Sequence, residues 1–456
     1  MNKNVDKRLE AYEGEMIEAL RESVMIPSVK AEPAEGAPFG REVKRALDHA
    51  LDLGKKLGFE TRDMDGYIGL IEYGEGEETL GIMCHLDVVP EGDIEAWKYP
   101  PYGAEIHDGE MFGRGTLDDK GPVFSTLYAL KAIKDEGLKM KRRVRIMLGC
   151  DEESGWGCMN YYKAHEKMPD LAFSPDAEYP LVNSEKTILQ AEFSKAFKSN
   201  IRINAGTRAN VVCGKAVAFI PKAFDEVEPI ASAFGYAGEF DVECKAVDSG
   251  TEISVLGLDA HASLPESGKN ALLALLSLLR RLEVGGEDAE MLEMLNDKLK
   301  QDIHGETLGV DFTDASGRTT FNAGVLVWGE NGIEKFVIDM RVPTSIDINK
   351  VVETLETELP LELGGTHIQN GHYVASESEL VSKLLAVYAE RTGKYEKPLA
   401  IGGGTYARAV ENAVAFGCER PGVPALIHMP NESIRLEDIM FNAKMMASAI
   451  IALAVE

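Results

Sequence analysis

Acidic residues and histidines recur where short apolar runs of this sequence end. The runs are GIMC (81–84), RIMLGC (145–150), LAFSP (171–175) and PALI (424–427), each predicted to be a strand, and a glycine-flanked loop, GRGTLDDKGP (113–122), precedes a predicted helix. The polar residues that follow or occupy them are His85, Asp87, Asp118, Asp119, Glu152, Glu153, Asp176 and His428. Strand ends at one edge of a sheet can bring several nitrogen and oxygen donors together on rigid elements, which is what a metal site requires.

Each motif also has an ordinary explanation when it is taken singly. Asp118 and Asp119 could cap the following helix, and Glu152 and Glu153 could form a solvated turn. The whole set, in this order, favours metal binding. Imidazoles and carboxylates suit Zn²⁺, Co²⁺ or Mn²⁺. The acids exceed what one tetrahedral ion needs, whereas two ions that share one bridging carboxylate would use them efficiently.

Composition narrows the class of protein. The 456 residues are 45% hydrophobic and 27% charged, with a net charge of −28, so we expect neither nucleic acid nor a membrane surface as a partner. The six cysteines include no C-x-x-C pair, which is typical of reduced thiols in a cytoplasmic protein. No secretory leader is recognisable, and the apolar segments fall short of the ~18 residues of a membrane span.

The elements that must position these residues follow from periodicity. Helical patterns cover 41–57 and 121–137 and alternate with buried strands, which predicts an α/β domain with a mixed, mostly parallel sheet flanked by helices. The pattern changes near Ile188 to an α+β type with an antiparallel sheet, and the first pattern returns after about Ser376. We therefore predict a catalytic domain (1–187 and 376–456) interrupted by an inserted domain (188–375).

Several motifs resemble those of the di-zinc metallopeptidase family that includes carboxypeptidase G, aminoacylase and succinyl-diaminopimelate desuccinylase. They are GIMCHLDVVPEGD, GRGTLDDKGP, GCDEESGWG, FSPDAEYP, GLDAHASLPESGKNA, IGGGTYARA and ALIHMPNE, in that order along nearly the whole chain. The sequence is most similar to PepV-type bacterial dipeptidases. This resemblance implies a cytoplasmic metal-dependent dipeptidase with two divalent ions per chain, Zn²⁺ first and Mn²⁺ or Co²⁺ as alternatives.

The resemblance also implies a role for each residue of the first domain. Asp118 would bridge the two ions, with His85 and Asp176 completing one set of ligands and Glu153 and His428 the other. Glu152 would be the general base that takes a proton from the bridging water and returns it to the leaving amine. Asp87 would hold the His85 ring. The peptide bond between Asp118 and Asp119 is expected to be cis.

The inserted domain carries the remaining implied roles. His261 resembles a lid histidine that stabilises the oxyanion, and Asn210 and Arg341 resemble substrate contacts. Arg341 suits capture of a free C-terminal carboxylate, to which the turn formed by Gly402, Gly403, Gly404 and Thr405 could add backbone N–H groups. The insert is long enough for two α+β halves, which we expect to be ferredoxin-like. The resemblance then implies a monomer that supplies its own His261.

Three functions remain open at this stage. The first is hydrolysis of short peptides, chiefly dipeptides, with a free C-terminal carboxylate by a metal-bridging hydroxide. The second is hydrolysis of N-acyl amino acids by the same chemistry, as in an aminoacylase or a desuccinylase. The third is metal or peptide binding without catalysis. The sequence has no G-x-S-x-G, P-loop or H-E-x-x-H motif, which argues against serine hydrolases, P-loop enzymes and single-zinc proteases.

Overall fold

The computed structural model describes residues 1–234 and 240–456. Two compact units make up the chain. The first unit contains Met1–Asn183, Tyr373–Leu399 and Gly404–Glu456, and the second contains Ser184–His372 and Ala400–Gly403. The first unit is therefore built from segments that lie on both sides of the second in sequence.

Helices and strands alternate through much of the first unit, whereas strands dominate the second. The helices are α1 (Lys3–Val24), α2 (Arg41–Lys56), α3 (Lys120–Asp135), α4 (Gly157–His165), α5 (Phe224–Ser232), α6 (Ala271–Arg281), α7 (Glu287–Leu299), α8 (Ile348–Glu358), α9 (Glu379–Thr392) and α10 (Leu436–Ala454). The strands are β1 (Glu60–Met64), β2 (Ile68–Tyr73), β3 (Thr79–His85), β4 (Glu105–His107), β5 (Glu110–Phe112), β6 (Arg143–Gly149), β7 (Leu171–Ser174), β8 (Ala177–Glu178), β9 (Val182–Glu185), β10 (Thr187–Ala196), β11 (Arg202–Ala205), β12 (Lys215–Ile220), β13 (Asp241–Val247), β14 (Gly250–Leu256), β15 (Thr313–Asp314), β16 (Gly317–Arg318), β17 (Thr320–Gly329), β18 (Gly332–Val342), β19 (Glu362–Gln369), β20 (His372–Tyr373), β21 (Leu399–Ile401), β22 (Ala413–Ala415), β23 (Cys418–Glu419) and β24 (Ser433–Arg435).

The main sheet is nine-stranded and includes, in this order, the first-unit strands β1-β2-β6-β3-β7-β22. Its four central strands, β6, β3, β7 and β22, run parallel, whereas β1 and β2 are antiparallel to their neighbours. The register sets His85 opposite Gly149, so β3 and β6 end level with each other. Residues that directly follow these two strands consequently emerge at one sheet edge, as in other parallel sheets.

Helices cover this sheet and complete its core. α3 packs on β3 and β6, α10 packs on α3 and β6, and α2 and α4 pack on β2. The side chains of β3 and β6 are buried over most of both strands, which explains their continuous apolar runs. The prediction of a mixed α/β sheet flanked by helices is confirmed. Within the described ranges, no helix combines the length and apolar character that a membrane crossing requires.

The second unit contains one antiparallel sheet of eight strands in the order β13-β14-β12-β11-β17-β18-β10-β19. It consists of two groups of four strands, which join where β11 pairs with β17. Helices α5 and α6 accompany the first group and α8 follows β18 before the chain enters β19 in the second. The leucine-rich helix α6 is buried almost throughout, because it supplies much of this unit's core.

One predicted strand is wrong. Residues 424–430, which contain the run PALI, form a loop and a turn, and the strand that follows is β24, paired with β5. Pro424 and Pro430 have no N–H group to donate to a strand ladder, and His428 has a φ of 62° inside the turn. His428 therefore lies in a turn and not at the end of a strand.

Candidate metal centre

Strand ends and short loops of the first unit place the predicted ligands. His85 is the last residue of β3, and Glu152 and Glu153 occupy the turn after β6. Asp118 lies in the loop before α3, and its peptide bond with Asp119 is cis, as the resemblance implied. Asp176 comes two residues after β7 ends at Ser174, because Pro175 intervenes.

Two groups of side chains in the described residues have the geometry to hold a metal ion, and they share Asp118. One group is His85, Asp118 and Asp176, and the other is Asp118, Glu153 and His428, with one donor atom from each residue within 4.8 Å of the others in its group. Asp118 divides its carboxylate between them: Oδ1 lies 2.9 Å from Nε2 of His85, and Oδ2 lies 2.9 Å from Nε2 of His428. One carboxylate thus faces both groups.

The remaining distances complete the two groups. Nε2 of His428 lies 3.0 Å from Oε1 of Glu153, and Nε2 of His85 lies 3.8 Å from Oδ2 of Asp176. The His85 side chain is almost wholly buried, whereas that of His428 is 50% exposed. The centre therefore has a buried side formed by β3 and an open side formed by the His428 turn.

The ring of His85 is held in one orientation. Nδ1 lies 2.9 Å from the backbone carbonyl oxygen of Asp87, which can only accept, so Nδ1 carries the proton. The buried Nε2 atom faces Asp118 and has no partner in hydrogen-bond geometry. A buried ring nitrogen that faces a carboxylate, on a ring fixed through its other nitrogen, is the arrangement of a metal-binding histidine.

The Asp87 side chain lies beside both the His85 ring and the turn after β6. Its carboxylate is predicted to hold the ring: Oδ1 lies 3.7 Å from Nδ1, and the backbone carbonyl oxygen of Asp87 lies 2.9 Å from the same atom. The two carboxylate oxygens accept the backbone N–H groups of Glu152 and Glu153, each at 3.1 Å. These two amides lie directly in the turn after β6, so Asp87 fixes the backbone that carries both glutamates.

The charges of this cluster shift the pKa values of its members. Burial disfavours an imidazolium, but the Asp118 and Glu153 carboxylates outweigh it and raise the pKa of His428 to about 11. Burial also lowers the pKa of His85, but Asp118 outweighs this effect and raises that pKa well above its usual range. Burial, together with the Asp118 charge, raises the pKa of Asp176 to about 8. A divalent cation can replace such protons, because metal binding is linked to proton release.

Glu152 belongs to neither group. Its side chain is partly buried, and burial, together with the nearby Asp176 and Glu153 charges, raises its pKa well above its usual range. A carboxyl group that is held beside the candidate ligands without joining them is free to exchange a proton. The adjacent glutamates of the DEESG segment thus have different surroundings.

Sequence reasoning missed several supports of the centre. A carboxylate oxygen of Asp119 accepts the backbone N–H of His85 at 2.9 Å, which ties the end of β3 to the Asp118 loop. The wholly buried Lys120 donates from Nζ to the carbonyl oxygens of Ser23 and Ile26 at 2.9 and 2.8 Å. Ser23 and Ile26 lie 97 and 94 positions before Lys120 in the sequence, so no local pattern could indicate these contacts.

Another support is an ion pair between Arg114 and Glu432, whose side chains are each 1% exposed. Glu432 stands in the quoted motif ALIHMPNE, but Asn431-Glu432-Ser433 has also the form of a glycosylation sequon, and no role was predicted for it. An acid four residues after the predicted ligand His428 is the signal in the sequence that could have drawn attention to it.

The predicted substrate-binding residues and the predicted oxyanion-stabilising His261 fall in both units. Gly404 and Thr405 belong to the first unit, and His261, Asn210, Arg341 and Gly403 belong to the second. Within the second unit, the backbone carbonyl of Asn210 accepts the N–H of Ala262, so the Asn210 and His261 loops are paired. Nδ1 of His261 lies 2.6 Å from the hydroxyl oxygen of Ser263.

Arg341 of the second unit is already engaged by neighbours in its own unit. Its Nε and Nη2 atoms donate to the two carboxylate oxygens of Asp339 at 2.8 and 3.2 Å, and Nη1 donates to the Gly402 carbonyl oxygen at 2.8 Å. A Cβ atom on Gly402 would lie 2.7 Å from that of Ser263, so the glycine turn approaches the His261 loop closely. The structure thus brings these predicted residues together on one side of the second unit.

Comparisons with known proteins agree with this picture. The sequence matches the family described as "Peptidase family M20/M25/M40" over residues 81–452. It is 36% identical over 453 residues to "Putative dipeptidase YtjP" of Bacillus subtilis (strain 168), covering 96% of this chain and 97% of that protein. It is 32% identical over 469 residues to "Putative dipeptidase SH1171" of Staphylococcus haemolyticus (strain JCSC1435), covering 99% of each.

Solved structures show the same fold at low sequence identity. Human carnosine dipeptidase 1 aligns with a TM-score of 0.59 at 14% identity, covering 98% of both chains. The di-peptidase Dug1p of Saccharomyces cerevisiae aligns with a TM-score of 0.60 at 12% identity, again covering 98% of both. The match over residues 81–452, the two dipeptidase relatives and the paired ligand groups all lead to one assignment: this chain belongs to peptidase family M20/M25/M40.

Proposed function

We propose that this protein is a metal-dependent dipeptidase that holds two divalent ions, with Zn²⁺ as the expected metal and Mn²⁺ or Co²⁺ as alternatives. His85, Asp118 and Asp176 would hold one ion, and Asp118, Glu153 and His428 the other. The observation that carries the proposal is the Asp118 carboxylate, which turns one oxygen toward each histidine. Nitrogen and oxygen donors without a thiolate suit these metals.

The chemistry follows from the placement of one acid beside these ligands. When bound, the ions would polarise the peptide carbonyl and lower the pKa of water at the centre. Glu152 is the group that moves the proton: its carboxylate takes one from water and later gives it to the leaving nitrogen. Asp87 supports this step, since its side chain fixes the backbone N–H of Glu152.

Residues of the second unit belong to the same proposal. His261 would stabilise the negative charge on the carbonyl oxygen, and Asn210 and Arg341 would bind the substrate. Arg341 would bind the free C-terminal carboxylate of a dipeptide through the Nη N–H groups that Asp339 and Gly402 do not accept, aided by backbone N–H groups of Gly403, Gly404 and Thr405. The curated relatives named as dipeptidases support this substrate class. We further propose that the protein acts as a monomer, with His261 supplied by the same chain.

A substrate panel tests this function. The purified protein, reconstituted separately with Zn²⁺, Mn²⁺ and Co²⁺, is assayed on dipeptides, on the matching dipeptide amides, and on N-acetyl and N-succinyl amino acids. We expect fast cleavage of dipeptides and slow cleavage of the amides and acyl compounds. Preference for the acyl compounds would replace the proposal with an amidohydrolase, and two bound ions with no hydrolysis would replace it with a binding protein.

A further inference from the structure

We propose that Glu432 is a positioning residue that sets the segment carrying Asp118 against the segment carrying His428. Loss of the Glu432 side chain should lower the metal affinity of the Asp118, Glu153 and His428 group more than that of the His85, Asp118 and Asp176 group. This inference rests on the proposed function, because it takes the two candidate groups to be metal sites. Glu432 itself is in neither group.

One oxygen of Glu432 organises the Asp118 loop. Oε1 accepts three backbone N–H groups, from Gly115 and Leu117 at 3.0 Å and from Asp118 at 3.2 Å. The backbone carbonyl of Glu432 also accepts the N–H of Gly113 at 2.9 Å. Four hydrogen bonds therefore run from one residue of the His428 segment to the six residues that end at the bridging aspartate.

Gly115 shows how closely this loop is fitted to the carboxylate. Its φ of 87° lies in the left-handed region, and a Cβ atom there would meet Cγ1 of Val88 at 2.8 Å. The backbone can therefore turn its N–H toward Glu432 only because position 115 lacks a side chain. The loop conformation and its acceptor belong to one arrangement.

The second oxygen of Glu432 binds the buried Arg114. Nη1 of Arg114 donates to Oε2 at 2.7 Å and also to the carbonyl oxygen of Met429, next to His428, at 3.4 Å. The guanidinium lies 5.3 Å from the ring centre of Trp97. Arg114 thus balances the charge of Glu432 and contacts the turn that carries the exposed His428. The Asp118 loop and the His428 segment are therefore joined both by Glu432 and by Arg114.

The two ions should respond unequally to the loss of Glu432. His85 and Asp176 are placed by β3 and β7, and neither makes a hydrogen bond to Glu432. In the other group, Asp118 and His428 both lie on segments that Glu432 joins. Loss of a residue that orients metal ligands typically costs 10- to 100-fold in metal affinity. We expect a loss in that range at the Asp118, Glu153 and His428 group, and a smaller loss at the other group, in which Asp118 is the one ligand on a segment that Glu432 joins.

Two substitutions separate the acceptor from the charge. Glu432→Ala removes the acceptor of three N–H groups, whereas Glu432→Gln keeps a carbonyl oxygen for them and removes only the charge. Pairing Glu432→Gln with Arg114→Gln also removes the unbalanced cation, which guards against failure to fold. Glu72→Gln is the matched control, because Glu72 accepts from Nε of the buried Arg145 at 2.8 Å in the same unit, away from the candidate ligands.

The measurement is titration of metal-free protein with Co²⁺ and Zn²⁺ by calorimetry, with amide hydrogen exchange of a peptide spanning 113–122. Glu432→Ala should lower the metal affinity of the Asp118, Glu153 and His428 group 10- to 100-fold and speed amide exchange in 113–122. The variant with both Glu432→Gln and Arg114→Gln should recover most of the affinity and most of the exchange protection. Glu72→Gln should match wild type in both measurements. Equal weakening of both ions, or no change in either, overturns the positioning role. A wild type that binds fewer than two ions refutes the proposed function and this inference together.

Discussion

The substitution Glu152→Gln tests the proposed separation of proton transfer from metal binding at adjacent residues. Gln has nearly the shape of Glu but cannot take a proton from water. Because Asp87 holds the backbone N–H of Glu152, the turn should keep its position when only the side chain changes. Because Glu152 is in neither ligand group, the metal content should stay at that of wild type.

The expected magnitude follows from that separation. Loss of a general base costs about 10²- to 10⁴-fold in rate, which corresponds to roughly 3–5 kcal/mol of transition-state free energy. The loss should appear in kcat, while KM changes by less than about threefold, since no contact that binds the ground state is removed. Glu153→Gln, one residue later, is the contrasting variant. It should lose metal as well as activity, because Oε1 of Glu153 lies in the group with His428.

The assay follows amino-acid release from a dipeptide by chromatography, with metal content measured by mass spectrometry on the same samples. If Glu152→Gln keeps activity within tenfold of wild type, the proton-transfer role is wrong. If it loses an ion while Glu153→Gln keeps both, the two glutamates have been given each other's roles.

Three further predictions concern metal loading and the second unit. Chelation should abolish hydrolysis and lower the melting temperature, and each ion at one hundred times its Kd should restore about 2.7 kcal/mol of stability; a melting temperature that does not respond to metal contradicts the metal site. Arg341→Lys should raise KM for dipeptides about tenfold but leave cleavage of dipeptide amides unchanged, because lysine cannot reproduce the planar contact with a carboxylate. Equal effects on both substrates would argue against carboxylate binding by Arg341. Asn322→Ala should destabilise the second unit by about 1–3 kcal/mol and raise KM, because Nδ2 of Asn322 donates to the carbonyl oxygens of Ala209 and Val211 on either side of Asn210. Unfolding curves and kinetics check these two effects. An unchanged KM would refute the link between Asn322 and substrate binding.

The sequence was sufficient for features that depend on local pattern. Continuous apolar runs predicted β3 and β6, and the level ends of these strands follow from parallel pairing. The order of motifs then indicated the family, which the match over residues 81–452 shows. Burial and periodicity act over a few residues, and such signals can be read directly from the chain.

Contacts between distant segments were beyond that reasoning. The run PALI had the apolar composition of a strand, but its own Pro424, the later Pro430 and the turn at His428 override it. The His85 ring donates to the backbone carbonyl of Asp87, which no side-chain pattern can reveal. The pair of Arg114 and Glu432 joins positions 318 residues apart, so its partners become evident only once the fold brings them together.

The division of the chain into units sets an order of events during synthesis. Nearly all of the second unit is one continuous segment, Ser184–His372, whereas the first unit still lacks β22, α9 and α10 when that segment leaves the ribosome. Since α10 packs on α3 and β6, the first core cannot close until these late residues arrive. The second unit can therefore fold earlier, reversing the usual N-terminal-first order. A nascent chain has His85, Asp118 and Asp176 long before His428, so the second candidate ligand group is complete only after the final stretch of translation.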